Sequence, residues 1–150
     1  MSSDLKPEVC SFEKIRTHWH DLQVEYIEDT ANPVIGKAAA QTERYIETDK
    51  AGQLKCIGLF DGEELAGLCL MLVAPSNHYP FPIVSVEGLY LRRRWRKGVN
   101  GLRMLNLAKK VARELGAPGL VFMAPPGSTL ETICKRLGAV NTHKAYWLNV

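Results

Sequence analysis

The sequence predicts a mixed α/β fold in one domain spanning residues 1–150. That length suits a single hydrophobic core. The apolar patterns follow the order β-α-α-β-β-β-α-β-α-β along the chain. Short connections between the early strands indicate antiparallel pairing, and the later strand, long helix and strand indicate a βαβ unit. We therefore expect a mixed central sheet flanked by helices.

The N-terminal half supplies a first strand, two helices and three further strands. Weak apolar alternation predicts a strand over Val9–Ile15, and apolar residues at helical spacing predict a helix over His18–Asp29. Lys37–Glu47 is rich in alanine and has helical composition. The next strands are predicted at Leu54–Phe60, Leu65–Ala74 and Ile83–Leu91, the first two joined by a tight turn that starts at Asp61-Gly62.

The C-terminal half contains the clearest helix, over residues 99–115, where Met104, Ala108 and Val111 recur on one face. A continuous apolar run at Leu120–Ala124 predicts a strand buried on both faces. Ser128 and Glu131 have the spacing of a capping box at the start of a last helix, which Gly138 ends. Asn141–Val150 is predicted as the final strand.

Composition excludes several classes of protein. The longest apolar run, Leu65–Val73, is shorter than the roughly 18–20 residues of a membrane span, and the N-terminus lacks a signal-peptide pattern. The four cysteines show no CxxC pair and no metal-ligand spacing. We expect reduced cysteines, a cytoplasmic protein with no membrane association, and no metal site.

Charge is distributed unevenly along the chain. Residues 1–91 hold 14 acidic and 7 basic side chains, whereas residues 92–150 hold 2 acidic and 12 basic ones. Such polarity indicates an anionic ligand on the C-terminal half or, alternatively, a solvated basic face.

The most informative segment is a strand that runs through a basic turn, Arg92–Gly101, into the long helix. The free N–H groups and partial positive charge of a helix N-terminus suit a pyrophosphate. Gly98 and Gly101 would allow close approach to the backbone, and Arg96 and Lys97 add charge. The segment is neither a P-loop nor a dinucleotide-binding GxGxxG motif.

The run Glu87-Gly-Leu-Tyr-Leu91, the turn Trp95–Gly101 and the following helix resemble the acetyl-CoA motif of GNAT acetyltransferases. Leu137-Gly138 resembles the Leu-Gly of that family's C-terminal motif. The resemblance implies a GNAT fold and acyl transfer, mainly of acetyl, from a CoA thioester to a primary amine by direct attack. Three positions depart from the pattern: Val99 replaces the first glycine, Cys134 the usual tyrosine, and Gly127 the usual asparagine.

The resemblance also implies which residues contact acetyl-CoA. Backbone groups of the preceding strand would position the thioester, the turn would bind pyrophosphate, and the helix cap Ser128 would point toward CoA or serve only as a cap. The predicted cofactor-binding residues are Leu89, Tyr90, Leu91, Arg96, Lys97, Gly98, Val99, Asn100, Gly101 and Ser128.

Acyl transfer to an amine needs a general base and a proton donor for the thiolate. We predict Glu87 as the base, because a carboxylate on the same strand face as Leu89 and Leu91 would have apolar neighbours that raise its pKa. Tyr146 is the predicted general acid, and Cys134 is the alternative or a buried apolar residue. A glutamate that only pairs with an arginine, and a tyrosine that only fills the core, are the structural alternatives.

The acceptor is an amine on a small molecule or a protein, and a homodimer remains open. Residues proposed to line its pocket are His18, Trp19, His20, Glu25, Glu28, Asp29, His78 and Tyr79, unless they belong to an ordinary solvated helix and loop. Two other functions compete. One is a catalytically weak module of the same fold that binds a protein partner. The weaker one is nucleic-acid binding through Arg92–Lys97, with Trp95 stacking on a base.

Overall fold

The computed structural model describes residues 5–150. Five strands form one sheet in chain order. They are β1 (Pro7–Cys10), β2 (Leu54–Asp61), β3 (Glu64–Ala74), β4 (Ile83–Leu91) and β5 (Val121–Phe122). The first four are antiparallel to their neighbours, and β5 is parallel to β4. This arrangement confirms the mixed sheet and the βαβ unit.

Helices cover both faces of the sheet. The α-helices are α1 (Phe12–His18), α2 (His20–Thr30), α3 (Thr42–Lys50), α4 (Asn100–Glu114) and α5 (Thr129–Arg136). On one face, Met104, Ala108 and Val111 of α4 pack against Ile57 and Met71 of the sheet. The other face packs against α1, α2 and α3 through the residues Phe12, Ile15, Leu22, Tyr45 and Ile46. The helix predicted at 99–115 is thus confirmed almost to its ends.

The β2–β3 hairpin matches the expected tight turn. Asp61 pairs with Glu64, so Gly62 and Glu63 form the loop. Gly62 has a φ of +61°, a conformation that glycine adopts without the steric cost of a Cβ atom.

Two N-terminal predictions are corrected. The strand predicted over Val9–Ile15 ends at Cys10, because Ser11 caps α1 by accepting a hydrogen bond from the Lys14 N–H at 3.2 Å. Helix α3 begins at Thr42 rather than Lys37. The alanines that suggested an earlier start, Ala38–Ala40, instead line a cavity in a non-helical segment.

Two C-terminal predictions are also wrong. The strand predicted over Leu120–Ala124 is only Val121–Phe122, and Met123 is 70% exposed. Residues 139–150 form no strand, so the predicted strand Asn141–Val150 is absent and no strand pairs with the outer edge of β5 among the described residues. β5 is therefore an edge strand, and its first residue, Val121, is 42% exposed. Within residues 5–150, no helix is long and apolar enough to cross a membrane.

Candidate active site

A β-bulge sets the direction of the Glu87 side chain. Leu70 of β3 pairs with Gly88, and the next residue, Met71, pairs with Val86, so Glu87 has no partner on β3. An extra residue in one strand shifts the alternation of side chains between the two faces. Leu89 and Leu91 consequently pack on the α4 face with Val86, whereas Glu87 lines a cavity on the opposite face.

The predicted neighbours of Glu87 were therefore wrong. Glu87 does not share a face with Leu89 and Leu91, and its side chain is exposed rather than enclosed by apolar groups. The bulge accounts for both differences. A prediction from periodicity assumes that successive side chains alternate strictly between the two faces of the sheet. One inserted residue places every later side chain on the opposite face from the one predicted.

The cavity beside Glu87 has a volume of about 530 Å³, within the range of small-molecule sites. Helices α2 and α3 and the segment before α3 form its walls, and β3 and β4 form its floor. It is lined by Trp19, Leu22, Gln23, Tyr26, Ile27, Ala38, Ala39, Ala40, Gln41, Arg44, Tyr45, Thr48, Leu68, Leu70, Leu72, Glu87 and Gly88. Apolar and aromatic side chains predominate, and polar groups are few.

Tyr45 is the ionisable neighbour of Glu87 in this cavity. Its ring stacks on Phe12 with a centroid distance of 5.0 Å. Burial, followed by the negative charge of Glu87, raises the pKa of Tyr45 to about 12. The phenol therefore stays protonated at neutral pH and lies within electrostatic range of the carboxylate.

The pairing of β4 with β5 ends at Val86, next to the residues of β4 that line the cavity. Their parallel pairing consists of Ser85 with Val121 and Val86 with Phe122. β4 continues to Leu91 without a further strand partner on that side among the described residues. The backbone edge of residues 87–91 is thus open, and it begins at the residues that line the cavity. Leu89, Tyr90 and Leu91, which are predicted to position the thioester, lie in this part of β4.

The turn between β4 and α4 presents backbone rather than side chains. Gly98 has a φ of +88°, which only glycine adopts without strain. Helix α4 has 15 residues, and its N-cap residue, Val99, makes no capping hydrogen bond through its side chain. Asn100 is only 2% exposed. It accepts a hydrogen bond from the Leu5 N–H and donates one to the Trp95 carbonyl, and these contacts hold the turn in place.

Arg96 is held by neighbouring groups. Its Nε donates to the Leu91 carbonyl at 2.8 Å, and its guanidinium pairs with Asp29 of α2 at 2.9 Å. Arg93 also pairs with Asp29 and with Glu28. These contacts hold the turn against α2, and the contact of Arg96 with a pyrophosphate stays a prediction. Lys97 and Val99 are exposed beside it.

The other two arginines of the turn, Arg92 and Arg94, also contact carboxylates. Arg92 contacts Glu25 at 3.0 Å and Glu64 at 2.6 Å, and Arg94 contacts Glu64 at 3.6 Å. Four arginines of the basic turn are thus paired with four carboxylates of the N-terminal half, three of which lie on α2. Trp95 is buried and flanked by the Arg92 and Arg94 guanidinium groups, so it offers no open face to a nucleic-acid base.

The predicted proton donors do not line the cavity. Tyr146 is 87% exposed and lies in the segment without secondary structure. Cys134 is half-buried on α5, and burial raises the pKa of its thiol. Ser128 accepts a hydrogen bond from the Glu131 N–H at 3.2 Å, which confirms its capping role. The Glu131 carboxylate in turn accepts from the Gly127 N–H.

Of the residues predicted to bind the acceptor, Trp19 lines the cavity. The acidic residues of α2 pair with arginines instead, His18 packs against Phe60, and Tyr79 stacks on Phe81 in an exposed loop. The cavity residues of α3 have no role predicted from the sequence. Arg44 and Thr48 are four residues apart and share a helix face, and this spacing could have indicated that both line one pocket.

This architecture is similar to that of several solved structures. An aminoglycoside acetyltransferase, HMB0005, from an uncultured soil metagenomic sample superposes with a TM-score of 0.76 at 11% identity over 99% of both chains. The chain has the GNAT fold. A ribosomal-protein-alanine N-acetyltransferase from Brucella melitensis biovar Abortus 2308 gives a TM-score of 0.73 at 12% identity over 97% of this chain and 99% of that chain.

A third structure with the GNAT fold contains a CoA derivative. AAC(6')-Iy, in complex with the bisubstrate analog CoA-S-monomethyl-acetylneamine, gives a TM-score of 0.70 at 12% identity over 99% of both chains. No protein-family model and no curated protein matches this chain by sequence. Within residues 5–150, no group of three or more His, Cys, Asp or Glu residues is arranged to hold a metal ion.

Proposed function

We propose that this chain is an N-acyltransferase that moves an acyl group, mainly acetyl, from a CoA thioester to a primary amine. One observation carries the proposal. The bulge directs the Glu87 carboxylate into a cavity of small-molecule size, and the open backbone edge of β4 starts at the same residue. An amine in the cavity and a thioester along the edge would therefore meet beside a carboxylate.

The residues of the turn fit a CoA pyrophosphate through their backbone. Gly98 and Gly101 carry no side chain that would separate a pyrophosphate from the backbone at the start of α4, and the N-cap residue Val99 makes no side-chain capping hydrogen bond. The open edge of residues 87–91 suits the amide groups of the pantetheine arm, which pair as a strand would. Bound there, acyl-CoA would supply an acyl group that is already activated for attack.

Glu87 would act as the general base. An amine is protonated at neutral pH and must lose a proton before it can attack a carbonyl carbon. Glu87 forms no ion pair or hydrogen bond with any described residue, so its carboxylate is available to a ligand. A carboxylate in this position both attracts the ammonium group and accepts its proton, directly or through a water molecule.

The test combines binding and turnover. Titration calorimetry measures acetyl-CoA binding, and thiol release with a panel of primary amines measures transfer. We expect Glu87→Gln to bind acetyl-CoA normally and to lower kcat/KM by about 10²–10⁴-fold, the usual range for loss of a general base. Glu63→Gln, in the exposed β2–β3 turn, is the matched control. Absence of acetyl-CoA binding, or a Glu87→Gln rate equal to that of the control, would contradict the proposal.

A further inference from the structure

We infer that the preferred acceptor is a small amine that also carries an anionic group, with an apolar body between the two. This inference rests on the proposed function of the cavity, because it concerns the molecule that enters beside Glu87. It specifies the class of amine that the cavity accepts, because two side chains of opposite charge lie at separate places in the cavity.

Arg44 is the cation that would recognise the anionic group. It lies on α3 and lines the cavity. No ion pair and no side-chain hydrogen bond joins its guanidinium to another residue in the described part of the chain. Its situation differs from that of Arg92, Arg93 and Arg96, which all have carboxylate partners. An arginine that faces a cavity without a partner is available for a planar carboxylate or a phosphate.

Glu87 and Arg44 line the same cavity but do not neutralise each other. No ion pair joins them, so every guanidinium nitrogen of Arg44 lies more than 4.0 Å from the carboxylate oxygens of Glu87. Apolar side chains occupy the floor, and aromatic rings form part of the walls. These residues are Leu68, Leu70, Leu72, Trp19, Tyr26 and Tyr45. A ligand that satisfies all of these groups has an amine at one end, an apolar or aromatic middle and an anion elsewhere.

The same geometry disfavours acceptors with several positive charges. Among the described residues that line the cavity, Glu87 is the only one with a carboxylate. On helix α2, Glu25, Glu28 and Asp29 are engaged by the arginines of the turn. A polycation would therefore find one carboxylate and meet the positive charge of Arg44, which costs binding free energy through like-charge repulsion.

A matched pair of amines tests the inference directly. Para-aminomethylbenzoate and para-methylbenzylamine share an aromatic body and an amine, and only the first carries a carboxylate. Titration calorimetry measures the Kd of each for the full chain without CoA, and thiol release with acetyl-CoA measures turnover separately. The variants are Arg44→Gln, Arg44→Lys and the control Arg113→Gln, which removes an exposed arginine of α4 on the other face of the sheet.

We expect the wild type and Arg113→Gln to bind the carboxylated amine roughly tenfold more tightly than the neutral one, as for one added charge-assisted contact. Arg44→Gln should abolish this preference without weakening the neutral amine, and Arg44→Lys should keep part of it. Equal binding of the two amines by the wild type, a preference that survives in Arg44→Gln, or no binding of either amine at millimolar concentration would overturn the inference.

Failure of the proposed function has a different signature. If the binding preference depends on Arg44 but neither amine is acetylated, the transferase proposal fails. The inference then holds only as a statement about which ligands the cavity binds. If both amines are acetylated at equal efficiency and bind equally, the transferase proposal stands and the inference about Arg44 is wrong.

Discussion

Asp29 joins helix α2 to the turn before α4, and its replacement by asparagine should destabilise the fold measurably. The carboxylate accepts a hydrogen bond from the Tyr90 hydroxyl at 2.6 Å and pairs with Arg96 at 2.9 Å and with Arg93. Asp29→Asn preserves the shape of the side chain. It removes the charge and replaces one acceptor oxygen with an NH2 group, which faces donors that it cannot satisfy.

The hydrogen bond from Tyr90 dominates the expected loss. Tyr90 is buried, and a buried donor that loses a charged acceptor costs about 2 kcal/mol. The side chains of Arg93 and Arg96 are 52% and 45% exposed, so water replaces most of what they lose. We expect Asp29→Asn to lower the free energy of unfolding by about 2 kcal/mol, which corresponds to a fall in Tm of about 4–8 °C for a chain of this size.

The effect should depend on pH in a defined direction. Hydrogen bonds from Arg93 and Tyr90 hold the pKa of the Asp29 carboxyl far below its ordinary value of 3.8. A carboxyl whose pKa is lower in the folded than in the unfolded state stabilises the fold at pH values above its unfolded pKa. That stabilisation is lost as the pH falls from about 3.8 toward the folded pKa. The difference between wild type and Asp29→Asn should therefore be constant near neutral pH and shrink in acid.

Urea unfolding of wild type and variant between pH 7 and pH 3 measures both quantities. The matched control is Glu28→Gln, which removes the same charge one residue earlier from a side chain that is 59% exposed and reaches only Arg93. The control should change stability little at any pH. If Asp29→Asn were no less stable than Glu28→Gln at pH 7, the argument for a network centred on Asp29 would be refuted.

Two further substitutions separate structural from functional roles. Gly98→Ala should lower the free energy of unfolding by about 1–2 kcal/mol, because Gly98 has a φ of +88°. Gly101→Ala should not lower it, since the nearest atom to its added Cβ is Leu91 Cδ2 at 3.8 Å; urea unfolding compares the two, and equal losses would contradict the backbone argument. Tyr146→Phe should leave the rate of acetyl transfer within about twofold of wild type, because an exposed phenol outside the cavity has no proton to deliver there. A rate lower by tenfold or more would show that Tyr146 reaches the site.

Much of the fold could be predicted from local pattern. The apolar stripe of α4, the glycine turn of the β2–β3 hairpin and the Ser128 cap are each specified within about a dozen residues, and the structure confirms all three. The boundaries failed where local and tertiary preferences compete. Phe12 and Ile15 fit a strand or a helix equally well in sequence, and only the Ser11 cap and burial against the sheet decide for α1.

The last strand failed for a related reason. Residues 141–150 have the composition of a strand, but a strand exists only when its backbone pairs with a neighbour. β5 pairs with β4 over two residues and with nothing on its outer side among the described residues. Propensity alone therefore could not show that this segment lacks regular structure.

The sequence by itself determined which chemical groups are present near the motif: a glutamate on β4, a glycine turn and a helix that begins directly after it. Only the tertiary structure decided where those groups point. The bulge turned Glu87 away from Leu89 and into a cavity, and the carboxylates of α2 engaged the arginines that had suggested a phosphate site. Register and ion pairing join residues far apart in the chain, whereas periodicity reports only on neighbours within one element.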